Sequence, residues 1–346
     1  MIIGLAPMDG ITDLPYRVIT KEIFDKYNIN PKNELRLWTE FMTSDGYIAN
    51  PHKVIKHMIH TDFEKPIIIQ IFGGKIQKLI KTALDIQQKY GKNIAGIELN
   101  TGCPANNVMK NGGGSALLTN KDELLDTIKE ISTKLDIPFS IKTRTGLNED
   151  DKKEQMNFLI EASKYCHMIS VHSRTLQELY KGDGDRNFIY ELKNKVNKNC
   201  KIIGNGAIKD YEEIVGKIKN LDGIMIGQAA IGNPWIFTPH KPSLSEIYNT
   251  ILKHLELMAK YEIFTSNISQ DNLSIETINP DLKKIENIDI EKNYKKIHYT
   301  PLLFRKYLHQ YLKGIPGGKE LKELCNKTTD LKENIKYIQN FFEKII

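Results

Sequence analysis

The sequence predicts an α/β fold, in which a (β/α)8 TIM barrel is followed by a smaller all-helical domain. Up to about residue 238, short β-branched apolar runs alternate with longer stretches whose apolar residues recur at helical spacing, as in repeated βα units. Eight such units favour a closed barrel, because an open doubly wound sheet commonly stops at about five or six strands. Beyond Phe237 the strand signal fades and only helical spacing remains.

The predicted elements follow in chain order. The strands are residues 2–7, 35–41, 66–72, 94–100, 139–144, 168–172, 201–204 and 223–227. Helices long enough to cross between parallel neighbours include residues 76–90, 122–135 and 151–166. The barrel is expected over residues 1–240, and the helical domain, residues 241–346, is expected to contain helices at 243–261, 299–312, 319–326 and 331–342.

Residues 262–291 interrupt this pattern. They combine seven acidic residues, two lysines and four asparagines without clear periodicity. We interpret them as a flexible acidic insertion or long linker. Because structureless loops of this length are uncommon, the alternative is part of an ordinary helix hairpin.

The next stretch, residues 292–319, is basic. It holds seven lysines and arginines, four tyrosines and no acidic residue. Arg305, His309 and Lys313 recur every four residues, which predicts a basic stripe on one helical face, with Lys306 beside it, able to meet phosphates. The alternative is an ordinary solvated face, because charge patterning alone is weak evidence.

Composition excludes several classes of protein. The 346 residues are 40% hydrophobic and 27% charged, unlike fibrous or wholly disordered chains. The net charge of +6 (49 − 43) permits a polyanionic partner without requiring one. Cys103, Cys166, Cys200 and Cys325 form no Cys-x-x-Cys pair, so neither a zinc ribbon nor a disulfide framework is expected. Without a membrane-length apolar run or a signal peptide, we expect a cytoplasmic protein with no membrane and no metal.

The ends of the predicted strands carry the chemistry. A parallel barrel places its reactive groups at the C-terminal ends of its strands. The last two strand ends contain GNGAI at 204–208 and IGQAAIGNPW at 226–235, where small residues let backbone N–H groups approach an anion. This favours a phosphate-bearing cofactor. The residues expected to converge on the same mouth are Pro7, Met8, Asp9, Glu40, Gln70, Asn100, Cys103, Lys142, Arg144, His172, Arg174, Asn205, Gly206, Gly227 and Gln228.

Two of these residues could react. Lys142 suits a Schiff-base nucleophile, a cation beside a cofactor ring or, with Arg144, an anion clamp; the alternative is a surface lysine whose ammonium extends to water. Cys103 lies in a glycine-rich loop after the fourth strand, which favours an exposed thiol over the usual core cysteine. The other three cysteines are interpreted as core residues.

The motifs at these strand ends resemble those of the tRNA-dihydrouridine synthase family. They occur in the family's order over almost all of residues 1–240, and the Cys103 loop is the most diagnostic. LFRKYLHQYLKGIPG at 303–317 resembles the family's helical tail. The matching segments are LAPMDGITDLPYR at 5–17, TEFM at 39–42, QIFGG at 70–74, ELNTGCPANNVMKNGGGSALL at 98–118, IKTRTG at 141–146, VHSRT at 171–175, IGNGAI at 203–208 and MIGQAAIGNPWIF at 225–237.

The resemblance implies an FMN-dependent oxidoreductase that reduces tRNA uridines to 5,6-dihydrouridine with NADPH or NADH. Residues 1–240 would be its FMN-binding catalytic domain and residues 241–346 its tRNA-binding domain. Many relatives carry arginine where Gln228 stands, so this chain lacks that charge. By motif position, the flavin would be bound by Pro7, Met8, Asp9, Gln70, Lys142 and His172, and its phosphate by Asn205, Gly206, Ala207, Gly227 and Gln228.

The resemblance also implies a mechanism. Hydride would pass from N5 of reduced flavin to C6 of the uracil, and Cys103 would donate a proton to C5. A thiol of pKa near 8.5 is still largely protonated at pH 7. The target base would have to leave its stack in the folded RNA. The substrate contacts would be Glu98, Asn100 and Arg174 at the mouth, with His172 lining the same side, and Arg305, Lys306 and Lys313 in the tail.

Two alternatives remain open at this point. An FMN barrel acting on a small molecule, like a dihydroorotate dehydrogenase, explains the barrel and Lys142 but leaves the basic tail without a purpose. A noncatalytic RNA-binding barrel explains the tail but predicts that the reactive side chains at the mouth of the barrel have been lost. The sequence leaves the modified uridine, the choice between NADPH and NADH, and the oligomeric state undetermined.

Overall fold

A computed structural model describes residues 1–269 and 274–346. β2 pairs with both β1 and β4, and β1 pairs with β9, so eight parallel strands close into a ring and the short β3 only adds to β4. The predicted barrel is confirmed. The strands are β1 (Ile2–Leu5), β2 (Glu34–Trp38), β3 (Met42–Thr43), β4 (Ile67–Phe72), β5 (Gly96–Asn100), β6 (Phe139–Arg144), β7 (Met168–His172), β8 (Lys201–Asn205) and β9 (Gly223–Ile226).

Helices surround the barrel and continue beyond it. Those within the barrel are α1 (Leu14–Tyr27), α2 (Ser44–Ala49), α3 (Pro51–Val54), α4 (Ile76–Tyr90), α5 (Asn106–Lys110), α6 (Lys121–Lys134), α7 (Lys152–Ala162), α8 (Arg186–Lys195) and α9 (Tyr211–Lys217). Those that follow are α10 (Leu244–Ser266), α11 (Ile275–Ile278), α12 (Leu282–Glu286), α13 (Ile290–Asn293), α14 (Thr300–Tyr311), α15 (Gly318–Lys327) and α16 (Leu331–Phe342). No helix in the described ranges is both long and apolar enough to cross a membrane.

Local sequence explains where these elements form. The strands β1, β5 and β9 are buried along their whole length, because one side faces the barrel interior and the other is covered by helices. Aspartates begin the helices that follow three of the strands: the side chains of Asp13, Asp185 and Asp210 each accept a backbone N–H of the first turn of α1, α8 and α9. The helices therefore start close to the strand ends, at the mouth of the barrel.

The C-terminal helices pack directly on the barrel. The Tyr307 ring of α14 lies 5.0 Å from the Tyr16 ring of α1, and the Tyr307 hydroxyl donates to the Ile11 carbonyl. His254 of α10 and Tyr311 of α14 are joined by a hydrogen bond of 3.2 Å. One hydrophobic core consequently runs through both parts of the chain. The predicted boundary near residue 240 coincides with a change of fold type, and its status as a domain boundary stays a prediction.

Regular structure also occurs in residues 262–291, where the sequence suggested a flexible insertion. The described part contains the end of α10, all of α11 and α12 and the start of α13, and Ile285 is fully buried. The Glu262 carboxylate accepts the backbone N–H groups of residues 298–300 at 2.7–2.8 Å and so fixes the start of α14. Helices of four or five residues are too short for periodicity to reveal. Residues 270–273 lie outside the described residues, and flexibility stays a prediction.

Candidate active site

A cavity of about 480 Å³ opens at the C-terminal ends of the barrel strands, a volume within the usual range for cofactor sites. Loops after β1, β5, β6, β7, β8 and β9 contribute to its wall. The structure brings together there most of the residues predicted for the site. These are Pro7, Met8, Asp9, Asn100, Cys103, Lys142, His172, Arg174, Asn205, Gly206, Ala207, Gly227 and Gln228.

The loops after β8 and β9 present free backbone donors. Gly206 and Ala207 have positive φ angles of 101° and 49°, and Ala207 is unusual in this region because it carries a Cβ. Among the residues that the structure describes, the N–H groups of Gly206, Ala207, Gly227 and Gln228 have no hydrogen-bond partner. Unpaired N–H groups after the last strands of a barrel form a site for a phosphate group.

The wall around His172 carries positive charge. Burial and, after it, the positive charges of Lys142, Arg144, Arg174 and Arg186 together lower the pKa of His172 to about 2. The imidazole is therefore neutral at physiological pH, and its Nδ1 is buried without a partner. Positive charge around a neutral ring suits an anionic ligand.

Arg144 joins two loops at the rim of the cavity. Its Nε donates to the Gly102 carbonyl at 2.8 Å and its Nη1 donates to the Thr175 carbonyl at 2.9 Å. The ring of Tyr180, which is 55% exposed, lies 5.8 Å from the Arg144 guanidinium and also lines the cavity. The sequence-based site list missed Tyr180. Its signal was an aromatic residue in the glycine-bearing loop between β7 and α8.

Gln70 and Glu98 lie below the cavity. They are opposite each other in the register of β4 and β5, and both are 0% exposed. The Gln70 amide donates to Glu98 Oε1 at 2.6 Å and accepts from the Asn100 amide at 2.9 Å. In this arrangement neither Gln70 nor Glu98 lines the cavity. The contacts predicted for Gln70 with the flavin and for Glu98 with the base therefore stay predictions.

Lys142 lies one layer of side chains nearer the mouth than Gln70 and Glu98. The register of β5 and β6 places it opposite Asn100, and its side chain lines the cavity. Burial lowers the pKa of Lys142, and the carboxylate of Glu98 opposes that shift. Burial also raises the pKa of Glu98. The lysine ammonium is thus placed between a buried acid and the cavity.

Cys103 occupies the loop between β5 and α5. Its N–H donates to Asn100 Oδ1 at 2.9 Å, and its carbonyl accepts the Ser115 N–H at 3.0 Å. Gly114 has a φ of +59°, and a Cβ there would stand 2.6 Å from the Cys103 carbonyl oxygen, so the loop requires glycine. Burial raises the pKa of the Cys103 thiol. The other three cysteines are buried, as the sequence predicted.

Lys306 reaches the mouth from the helical tail. Its Nζ lies 3.3 Å from the position that a Cβ on Gly10 would occupy. Burial raises the pKa of Asp9, and Lys306 is one of the cations that oppose this shift. In the described ranges no carboxylate comes within 4.0 Å of the Lys306 ammonium. The tail thereby adds a free cation to the rim.

The remainder of the predicted basic stripe is not an open face. Arg305 donates to the Thr328 carbonyl at 3.0 Å, and the His309 ring lies 3.3 Å from the Asn326 amide. This side of α14 therefore packs against α15, and only Lys313 is exposed. Arg305 and His309 are thus only partly exposed, and α14 ends at Tyr311, before Lys313. The contacts of this stripe with phosphates stay a prediction.

Three further side chains meet beside the mouth. Possible ligand atoms of Asp9, Glu40 and His57 all lie within 4.8 Å of one another, an arrangement able to hold a metal ion. Glu40 already accepts the Gly10 N–H at 2.6 Å, and its other oxygen lies 3.4 Å from His57 Nδ1. The expectation of a metal-free site stays a prediction.

Known proteins resemble this chain over nearly its whole length. The sequence profile of the family described as Dihydrouridine synthase (Dus) matches residues 4–346. A tRNA-dihydrouridine synthase B of Pseudomonas syringae pv. tomato is 27% identical over 353 residues, which cover 98% of this chain and 91% of the relative. The protein of the same name from Pasteurella multocida is 26% identical, with coverage of 99% and 93%. A probable tRNA-dihydrouridine synthase of Staphylococcus aureus MRSA252 is 27% identical, with coverage of 95% and 89%.

Proposed function

The chain belongs to the dihydrouridine synthase family, and from this premise we propose that it reduces uridines of tRNA to 5,6-dihydrouridine, with FMN as cofactor and NADPH or NADH as electron source. The family match continues through the helical tail to residue 346. This favours tRNA over a small-molecule substrate, because the tail then has a purpose. A noncatalytic barrel is disfavoured by a mouth that retains Cys103, Lys142 and His172.

The cavity fits FMN in its donors and its charge. The free N–H groups of the loops after β8 and β9 suit the phosphate, and Pro7, Met8 and Asp9, which follow the neighbouring strand β1, suit the flat ring. Lys142 provides a cation for the polar edge of the ring, where negative charge accumulates on reduction. When bound and reduced, FMN would supply hydride to C6 of the uracil.

Cys103 would supply the proton. Negative charge develops on the pyrimidine as hydride arrives, and a general acid at C5 relieves it. The raised pKa of the Cys103 thiol keeps this acid protonated at neutral pH. Asn100 holds the Cys103 backbone through its side-chain oxygen and thereby orients the thiol. The observation that carries the proposal is that Cys103 lines the same cavity as the loops after β8 and β9 with their free N–H groups.

A direct assay tests the proposal. The purified chain is expected to show the absorbance of oxidised flavin and, with NADPH or NADH, to convert unmodified tRNA uridine to dihydrouridine, detected by mass spectrometry of nucleosides. Dihydroorotate and orotate serve as small-molecule controls. A colourless protein that binds no FMN, or a flavoprotein that turns over only the small molecules, would overturn the proposal.

Lys306 gives the first prediction about tRNA binding. Lys306→Glu is expected to weaken tRNA binding and to lower the log-log salt slope by roughly 0.7 to 0.9, the share of one phosphate contact. The reason is its unpaired ammonium at the rim of the cavity. Binding measured across a salt series, together with the flavin spectrum, provides the readout.

Two variants serve as comparisons. Lys198→Glu reverses an exposed lysine in the loop before β8, at the opposite end of the barrel, and should leave the slope unchanged. Arg305→Glu should instead lower the stability of the tail, because it breaks the bond to the Thr328 carbonyl. Equal slopes for Lys306→Glu and Lys198→Glu would show that Lys306 does not contact the RNA.

A further inference from the structure

The loop after β8 is held from its outer side by two cations. Arg186, the first residue of α8, donates through Nη2 to the carbonyl of Gly206. Lys217, at the end of α9, donates to the carbonyl of Ala207 at 2.8 Å. In a trans peptide the C=O and N–H groups point in opposite directions. Tying the Gly206 carbonyl outward therefore turns the N–H of Ala207 toward the cavity.

The two cations differ in how their charge is balanced. The Lys217 ammonium is paired with Glu213 at 3.0 Å. Arg186 forms no ion pair within 4.0 Å among the described residues, and Glu213 acts on it only from a longer distance. Its Nε and Nη1 are buried without hydrogen-bond partners. A buried guanidinium with two unused donors is costly unless an anion balances it.

Arg186 also differs from the other arginines near His172. Arg144 donates to the carbonyls of Gly102 and Thr175, and Arg174 donates to those of Lys181 and Gly182. Both of these guanidinium groups are thus engaged in holding loops. Arg186 alone among the three retains buried donors without partners, in the described part of the chain.

We propose that Arg186 supplies positive charge for the phosphate of FMN. The inference rests on the proposed function. Gln228 lines the same cavity but is neutral. Arg186 acts through the Gly206–Ala207 peptide, whose N–H it orients, and through its own charge behind that peptide, which no carboxylate within 4.0 Å pairs in the described part of the chain. It is therefore a positioning residue for the phosphate.

The test compares FMN with riboflavin, which lacks the phosphate. Both are titrated into full-chain protein stripped of flavin, and binding is followed by flavin fluorescence. Arg186→Met is expected to raise the Kd for FMN about tenfold to a hundredfold, the range for losing a charge-assisted contact. The Kd for riboflavin should change less than about threefold. A merely structural role would weaken both ligands alike.

Three further variants test whether the charge of Arg186 causes the difference between FMN and riboflavin. Lys217→Met removes a similar loop contact whose charge Glu213 already balances, so its effect on FMN should be smaller. Adding Gln228→Arg to Arg186→Met should restore most of the lost FMN affinity. Arg186→Lys keeps the charge, so its ratio of FMN to riboflavin affinity should be closer to the wild-type ratio than that of Arg186→Met. If Arg186→Met does not fold, Arg186→Lys and Lys217→Met still provide the comparison.

The outcomes separate this inference from the proposed function. If the unmodified chain binds no FMN, both are overturned. If FMN binds but Arg186→Met keeps the wild-type ratio of FMN to riboflavin affinity, this inference alone fails. An Arg186→Lys ratio as low as that of Arg186→Met would also overturn it, because charge would then not be the cause.

Discussion

Cys103→Ala is expected to slow uracil reduction by about a hundredfold to ten-thousandfold, the usual contribution of a positioned general acid. Flavin binding and flavin reduction by the nicotinamide should stay nearly unchanged, because the thiol is assigned only the proton for C5. Stopped-flow measurement of the two half-reactions separates these effects. A variant that reduces tRNA at the normal rate would remove Cys103 from the mechanism.

The pH dependence gives a second check on the same thiol. The protonated form is the active one, and burial raises the pKa of Cys103. The rate of uracil reduction should therefore be flat around neutral pH and fall as the pH rises through that raised value. In Cys103→Ser, whose hydroxyl stays protonated, this alkaline fall should disappear at a lower overall rate.

Cys166→Ala is the matched control. Cys166 lies between α7 and β7, is buried in the hydrophobic core and does not line the cavity. Its replacement should lower stability slightly through lost packing and leave both half-reactions at wild-type rates. If the two alanine variants slowed uracil reduction equally, the loss would come from the fold and not from the chemistry.

The sequence located the mouth because parallel topology fixes which strand ends share it. Cys103, Lys142 and Gly206 lie far apart along the chain, yet each lies in the C-terminal half of a strand or just after it, and the βα order sets the direction of that strand. The same rule does not determine how deep in the barrel each side chain lies. Glu98 and Asn100 are two residues apart on β5 and face the same side, but Glu98 lies one layer lower. Periodicity alone cannot distinguish these layers.

What the sequence could not show was which surfaces become covered. Arg305 and His309 do share a helical face, but α15 lies over it, a fact of tertiary packing. Arg186 and Lys217 were not recognised because they stand on helices and meet only through the loop after β8. Contacts of this kind depend on the folded path of the chain and leave no pattern in spacing.

Lys142→Met is expected to slow flavin reduction by about a hundredfold to a thousandfold, comparable to the loss of one preorganised donor to a developing anion. Lys142 lines the cavity and provides the cation for the polar edge of the ring. Without that charge, the reduction potential of bound FMN should become more negative, and FMN should be released more readily. Dye equilibration measures the potential, and stopped flow measures the rate.

The variant also removes the cation above Glu98. A buried carboxylate left without its partner costs about 3 to 5 kcal/mol of stability, which would itself cause some loss of FMN by weakening the barrel. Glu98→Gln in the Lys142→Met background removes that carboxylate charge and should restore the melting temperature while leaving the potential low. If the double variant instead recovered the wild-type potential, or if Lys142→Met never changed it, Lys142 would act by balancing Glu98 and not at the edge of the flavin.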